Sequence, residues 1–289
     1  MKRIRFALVG ALLILCTLIS ACSSQNPIPA STVPESNAPA TVKVTIPEGY
    51  AVRRIAAKLD ETGVCSASDF FAACSDTDWS AEFSFLPSRE VLSEREYPLE
   101  GYLFPDTYEF YVGEEAHSCV RRFLKTFSIR FTSQMVSDCD AAGLSVDEAV
   151  TLASIVEKET NSRDEAPRVA AVFLNRLNHP YGYKGVEGTS TGGRFQSDAT
   201  KYYPYTYSEY ANGLVPEGFE SEYNTYNFEG LPKGPICCPS LVSLKACVYP
   251  DSTCDAFFFF TDKNSTYYYA VSYDEHKANI KYCKDNGLI

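Results

Sequence analysis

Histidine is nearly missing from this 289-residue chain. There are three, His117, His179 and His276, and none stands at a metal-ligand spacing from a cysteine or from another histidine. The cysteines show no paired CxxC pattern, so spacing offers neither a structural metal site nor a cofactor. No run of lysine and arginine interrupts the sequence, and 26 basic against 37 acidic residues give a formal charge of −11. That balance speaks against nucleic acid and anionic lipid, which are bound through basic patches. Nor is there an apolar stretch of confident transmembrane length. The run from Phe6 to Ile19 falls short of the ~20 residues that a spanning helix needs.

That run has a different reading. Lys2, Arg3 and Arg5 precede or flank it, and "SAC" closes it with small residues up to Cys22, the order of an export signal over residues 1–22. The ending resembles the lipobox of bacterial lipoproteins, which implies lipidation at Cys22; an uncleaved N-terminal transmembrane helix is the alternative. Both place the remaining chain at the extracytoplasmic face of a membrane. Residues 23–41, with "NPIPASTVPESNAPA", read as a flexible linker. Loss of residues 1–22 takes the charge to −14, because Lys2, Arg3 and Arg5 leave and no acid does. Setting Cys16 and Cys22 aside leaves nine of the eleven cysteines. Export permits disulfides, but an odd number leaves at least one thiol unpaired within the chain.

From Val42 the chain turns regular. An alternating strand over Val42 to Ile46 and a turn at residues 47–49 lead to a helix with Val52, Ile55, Ala56 and Leu59 on one face, ended by Gly63. A second helix begins near Ser68. The order resembles a LysM-like module, assigned to residues 42–95, with a catalytic domain over residues 96–289. Helices are expected from about Glu114 to Gln134 and from Ser145 to Thr160. Ser145 and Glu148 form a capping box for the second of these, and Ser162 and Glu165 repeat it for the next helix, whose apolar face carries Val169, Val172, Phe173 and Leu177. A Gly-rich polar loop follows. The C-terminal part reads as turns and short strands, notably "CDAFFFFTDKN" and "STYYYAVS". Helices first and strands later give an α+β class.

Glu159 closes the stretch "LASIVEKET" at residues 152–160. Val156, Ile155 and Leu152 lie three, four and seven residues before it, on the same side of a helix. Glu157 is rotated about 200° away. Burial favours the neutral form of a carboxyl, and protonation of a glycosidic oxygen needs an acid that keeps its proton near neutral pH.

Six segments in order, "LEGYLFPDTYEF", "LASIVEKET", "RVAAVFLNRL", "FQSDATKYY", "YNTYNFEGLPKGPI" and "YDEHKANI", resemble the endolytic murein transglycosylase (YceG-like) family from about Val42 to the C-terminus. The resemblance implies a lyase that cuts the MurNAc-β-1,4-GlcNAc bond within nascent peptidoglycan strands and leaves 1,6-anhydroMurNAc ends. It implies Glu159 as the catalytic acid/base, with glycan strands and peptidoglycan synthases as partners. Substrate-binding candidates are Glu100, Asp106, Glu157, Asn175, Arg176, Gln196, Asp198, Tyr223, Asn224 and Tyr226. Three departures bear on the cleft rim: Ala199 replaces a proline, Lys233 another, and "CCPS" puts Cys238 for asparagine and Ser240 for a glycine whose positive φ serine would resist. A muramidase using water, or a non-catalytic peptidoglycan-binding lipoprotein, are the competing readings.

Overall fold

The computed structural model describes residues 40–289; the expected export signal, Cys22 and nearly all of the expected linker lie outside them. Strand β1 (Thr41–Thr45) pairs antiparallel with β2 (Thr107–Tyr111), Val44 opposite Tyr108 and Val42 opposite Phe110. Alternation along β2 turns Tyr108 and Phe110 inward and leaves Thr107, Glu109 and Tyr111 exposed. Between these strands run α1 (Val52–Glu61) and α2 (Ala67–Asp76). The four residues that define the apolar face of α1 are fully buried, and Gly63 takes φ 72° just beyond its end. Ser66 starts α2 by accepting the Asp69 N–H. The strand that pairs with β1 thus begins twelve residues past the expected boundary at residue 95. A 3-10 turn at Trp79–Ala81 and the short helix α3 (Arg89–Ser93) intervene.

The expected helix to Gln134 is two helices. α4 (Ala116–Arg130) stops at Phe131, and Thr132, in an extended conformation, caps α5 (Ser133–Ala141) by accepting the Met135 N–H. A hydroxyl that can satisfy an orphan N–H makes a new helix start here more favourable than continuation. Phe123 and Phe127 of α4 pack among Tyr102, Tyr108 and Phe110. Gly101 turns the chain at φ 88°, and a Cβ there would stand 2.5 Å from Pro235. "LEGY" and "KGPI" can touch only because that residue is glycine.

α6 (Val146–Glu159) is the central helix, closed at its start by the Ser145–Glu148 capping box. Residues 149–156 are buried without a break, so the helix is covered on all sides by its neighbours, including α7 (Ala166–Asn178) and α9 (Leu241–Val248). The second expected capping box is open. The Glu165 N–H does reach Ser162 Oγ, but helix α7 starts at Ala166, and the Glu165 carboxylate accepts the Tyr269 hydroxyl instead. Past the short α8 (Tyr207–Ala211), the C-terminal part contains more helix than its turn-like sequence suggests. β3 (Phe258–Thr261) and β4 (Tyr267–Ala270) form the second antiparallel pair, but α9 precedes them and α10 (Tyr273–Asp285) follows. The described residues are therefore mostly helical, with two separate two-stranded sheets rather than one shared sheet. None of their helices is long and apolar enough to cross a membrane.

Candidate active site

Glu159 is the last residue of α6, and Thr160, extended at φ −146°, turns the chain away there. Its carboxyl lies at the junction of two cavities. The larger, about 900 Å³, is walled by Gly49, Ala51, Arg53 and Arg54 on one side and by residues 202–209 on the other. The smaller, about 340 Å³, is lined by Phe173, Arg176, Gln196 and Tyr226, with residues 258–260 and His276 closing it. Glu159 and Asp198 are common to both linings. An extended polymer crossing from one cavity to the other would pass over these two carboxyl groups.

Their environments push the two acids apart. Burial raises the Glu159 carboxyl above its ordinary value, and the Asp198 charge adds to this; a hydrogen bond from Ser197 and the Arg176 charge oppose it. Ser197 Oγ donates to Glu159 Oε1 at 2.5 Å. Asp198 is exposed. Against the upward push of its partial burial, hydrogen bonds from Lys201 at 2.7 Å and the Tyr226 hydroxyl at 2.9 Å hold its carboxyl below the ordinary value. One acid is biased to keep its proton and the other to stay charged, the pattern that separates acid and base roles at a site.

The loop carrying Ser197 and Asp198 is clamped from below. Phe195, fully buried, packs on Phe173. Gln196 follows at φ 52°, an uncommon conformation for a non-glycine residue, while its N–H donates to the Thr225 carbonyl. Thr225 Oγ1 accepts the Ser197 N–H and is 2.9 Å from Thr200 Oγ1, which in turn accepts the Thr225 N–H. Thr200 and Thr225 are fully buried. Thus "QSDAT" and "YNTY" are bound together through their threonines. These, with Ser197, are site residues that sequence reasoning did not single out as candidates. The hydroxyls stood inside the quoted motifs, but nothing in their spacing showed that they would meet.

The remaining candidates divide. Gln196 and Tyr226 line the smaller cavity. Arg176 also lines it, yet its guanidinium is buried and donates to the Phe257 and Phe195 carbonyls, which fixes β3 and the Ser197 loop to α7. Burial lowers it to about 10, with the Glu159 charge opposing. Asn175 donates its amide to the Cys254 and Ala256 carbonyls. Asn224 accepts the Tyr226 N–H, a local turn bond, and Tyr223 is buried against Tyr203. Asp106 pairs with Arg130 and the Thr107 N–H, outside both cavities. Glu157 accepts the Ser240 N–H and the Ser240 and Ser243 hydroxyls, and so holds the start of α9. Ser240 has φ −66° and is itself the N-cap of α9, so the strain expected from replacing glycine does not arise.

Glu100 lies behind the cleft wall, 1 % exposed. Its carboxyl receives the Val52 N–H at the start of α1 and the Tyr203 hydroxyl, and Cys238 Sγ stands 3.7 Å away. Burial pushes it up to about 7 in spite of these bonds. The cysteine found in place of asparagine therefore belongs to a buried cluster beneath the rim. Lys233 pairs with Glu222 at the surface.

The chain is 27% identical to the endolytic murein transglycosylase of Bacillus subtilis over 248 residues, which are 83% of this chain and 65% of that protein. It is 26% identical over 264 residues to the endolytic murein transglycosylase of Streptococcus pneumoniae D39, covering 85% of this chain and 45% of that one. The chain thus spans about two thirds and somewhat under half of these relatives. A crystal structure of a YceG-like protein from Listeria monocytogenes superposes with a TM-score of 0.65 at 26% identity, over 82% of this chain and 75% of that one. Residues 28–282 match the YceG-like family, and the chain belongs to it.

Proposed function

We propose that this protein is an endolytic peptidoglycan lytic transglycosylase in which Glu159 is the acid/base. The observation that carries the reading is a half-buried carboxyl, biased toward its protonated form, at the junction of two cavities. Glu159 would give its proton to the glycosidic oxygen as the bond from C1 of MurNAc to O4 of GlcNAc breaks. As a carboxylate it would then take the proton of the muramyl 6-hydroxyl while O6 closes on C1. The product is a 1,6-anhydro end, and no water is consumed. One carboxyl can serve both steps because the first leaves it in the state that the second requires. Asp198, held ionised by Lys201 and Tyr226, would place negative charge beside the positive charge that develops at C1. Cavities on both sides of Glu159 support cleavage inside a strand rather than at its tip. The strand–helix–helix order of β1, α1 and α2, with β2 antiparallel to β1, supports a LysM-like role in contacting glycan. We also propose lipid anchoring through Cys22 at the extracytoplasmic face, and work alongside peptidoglycan synthases.

Asp198 gives the hydrolase reading a specific basis, since a second carboxylate beside the acid is what a muramidase uses. Digestion of uncrosslinked strands in heavy-oxygen water separates the two. Unlabelled anhydro-ended fragments several disaccharides long are expected. Label at new reducing ends with no anhydro product would make the enzyme a hydrolase. Glu159→Gln, which keeps shape but cannot donate the acid proton, is expected to lose at least ~100-fold in turnover with its melting curve unchanged.

A further inference from the structure

The larger cavity is positively charged in a chain that is strongly negative. Its lining holds four cations, Arg53, Arg54, Lys158 and Lys201, against three carboxyl groups, Glu159, Asp198 and Glu209. Two of the cations are neutralised in place, Arg53 by Glu209 at 2.5 Å and Lys201 by Asp198 at 2.7 Å. With Glu159 protonated, Arg54 and Lys158 are left over. Among the described residues neither has a carboxylate partner. Arg54 lies over the Tyr50 ring, its carbon 4.1 Å from the ring centre, and Lys158 Nζ donates only to the Gly49 carbonyl at 2.6 Å. Both are exposed, and both border the cavity that Glu159 closes. Tyr50 and Gly49 are adjacent in the chain, so one turn holds both cations.

We propose that Arg54 and Lys158 form an anionic subsite that takes a carboxylate carried on the muramyl substituent of the strand, and so select acid-bearing glycan over neutral glycan. The inference rests on the glycan-cleaving reading above and names the substrate feature recognised at that site. Lys158 lines the larger cavity and not the smaller, so a carboxylate held there lies on the larger cavity's side of Glu159. Among the described residues the two cations have no carboxylate partner to lose, so an incoming carboxylate breaks no ion pair. Neutral polymers of N-acetylglucosamine offer nothing to them, although their 6-hydroxyl would suit the same chemistry.

The test is equilibrium binding by the full chain carrying Glu159→Gln, so that strands are not consumed. The probes are soluble uncrosslinked strands with free stem-peptide carboxylates, and the same strands with those carboxylates capped as methylamides. Capping is expected to weaken binding about tenfold, the range open to two partly exposed ion pairs, and the loss should shrink with added salt. Adding Arg54→Gln and Lys158→Gln should bring free strands to the affinity of capped ones. Arg54→Gln alone, at an exposed position, should remove about threefold and guards against a folding defect in the double change. Removing the stems by cleaving their amide to the lactyl group bares the lactyl carboxylate, and so tells the two sources apart: binding at the level of free strands shows that a carboxylate on the lactyl group also serves, and binding at the level of capped strands assigns the subsite to the stem carboxylates. Equal binding of free and capped strands, or a preference that survives the double change, would overturn the proposal. Cleavage by the wild-type chain without charge-dependent binding removes the subsite alone; charge-dependent binding without any glycan cleavage removes the reaction assignment alone.

Discussion

Glu100→Gln should flatten the pH dependence of folding stability. The carboxyl is fully enclosed, and burial raises it from an ordinary 4.5 to about 7. A carboxyl raised by folding binds its proton more tightly in the native state than in the unfolded state. Its contribution to stability is therefore fully present below pH 4.5 and lost as pH rises through about 7. Integrated over pH 5 to pH 8, a shift of that size removes about 2.5 kcal/mol. In a domain of this size that corresponds to a fall in Tm of about 5–10 °C. The amide introduced by the substitution cannot ionise, yet its carbonyl can still accept the Val52 N–H and the Tyr203 hydroxyl that Glu100 receives. The substitution carries a constant offset from the unmatched amide N–H; the slope, not the offset, is diagnostic. Chemical denaturation of the wild type and the variant at closely spaced pH values measures it. Two parallel curves between pH 5 and pH 8 would show that Glu100 is ionised at its ordinary pH in the folded protein, and the argument from burial would be wrong.

Ser197→Ala removes the hydrogen bond that opposes the upward shift of Glu159, so the alkaline limb of the kcat/KM profile should move to higher pH; a limb that stays in place would detach Ser197 from the acid. Glu157→Ala deprives the start of α9 of its acceptor, with an expected loss of ~1–2 kcal/mol in denaturation and little change in turnover per folded molecule. A large turnover loss with unchanged stability would return Glu157 to the chemistry. Cys22→Ala should abolish metabolic lipid labelling and release the chain from detergent phases. Retention at the membrane without label in the wild type would favour an N-terminal helix.

Local physics was legible in several single segments, although the Thr132 cap split one expected helix and the Ser162–Glu165 box stayed open. The apolar positions of α1, its stop at Gly63, the β3 and β4 runs and the Ser145–Glu148 box depend on neighbours within seven residues, and each forms as its sequence reads. For Glu159 the phase with Leu152, Ile155 and Val156 gave a direction only, because residues 149–156 are buried on every side and no single apolar stripe marks one face of α6. What the sequence could not decide is where each polar group finds its partner. Glu100 and Asp198 are both acids beside turns, yet one is sealed behind Tyr203 while the other is held in a cleft by Lys201 and Tyr226. Thr200 and Thr225 are separated by 25 residues and meet only after the loop folds. Glu157 and Glu159, two residues apart on one helix, differ because the first reaches the start of α9 and the second faces open cavities. A helix fixes the direction of a side chain; the neighbours packed around it fix whether that direction ends in a hydrogen bond, in water or in a substrate.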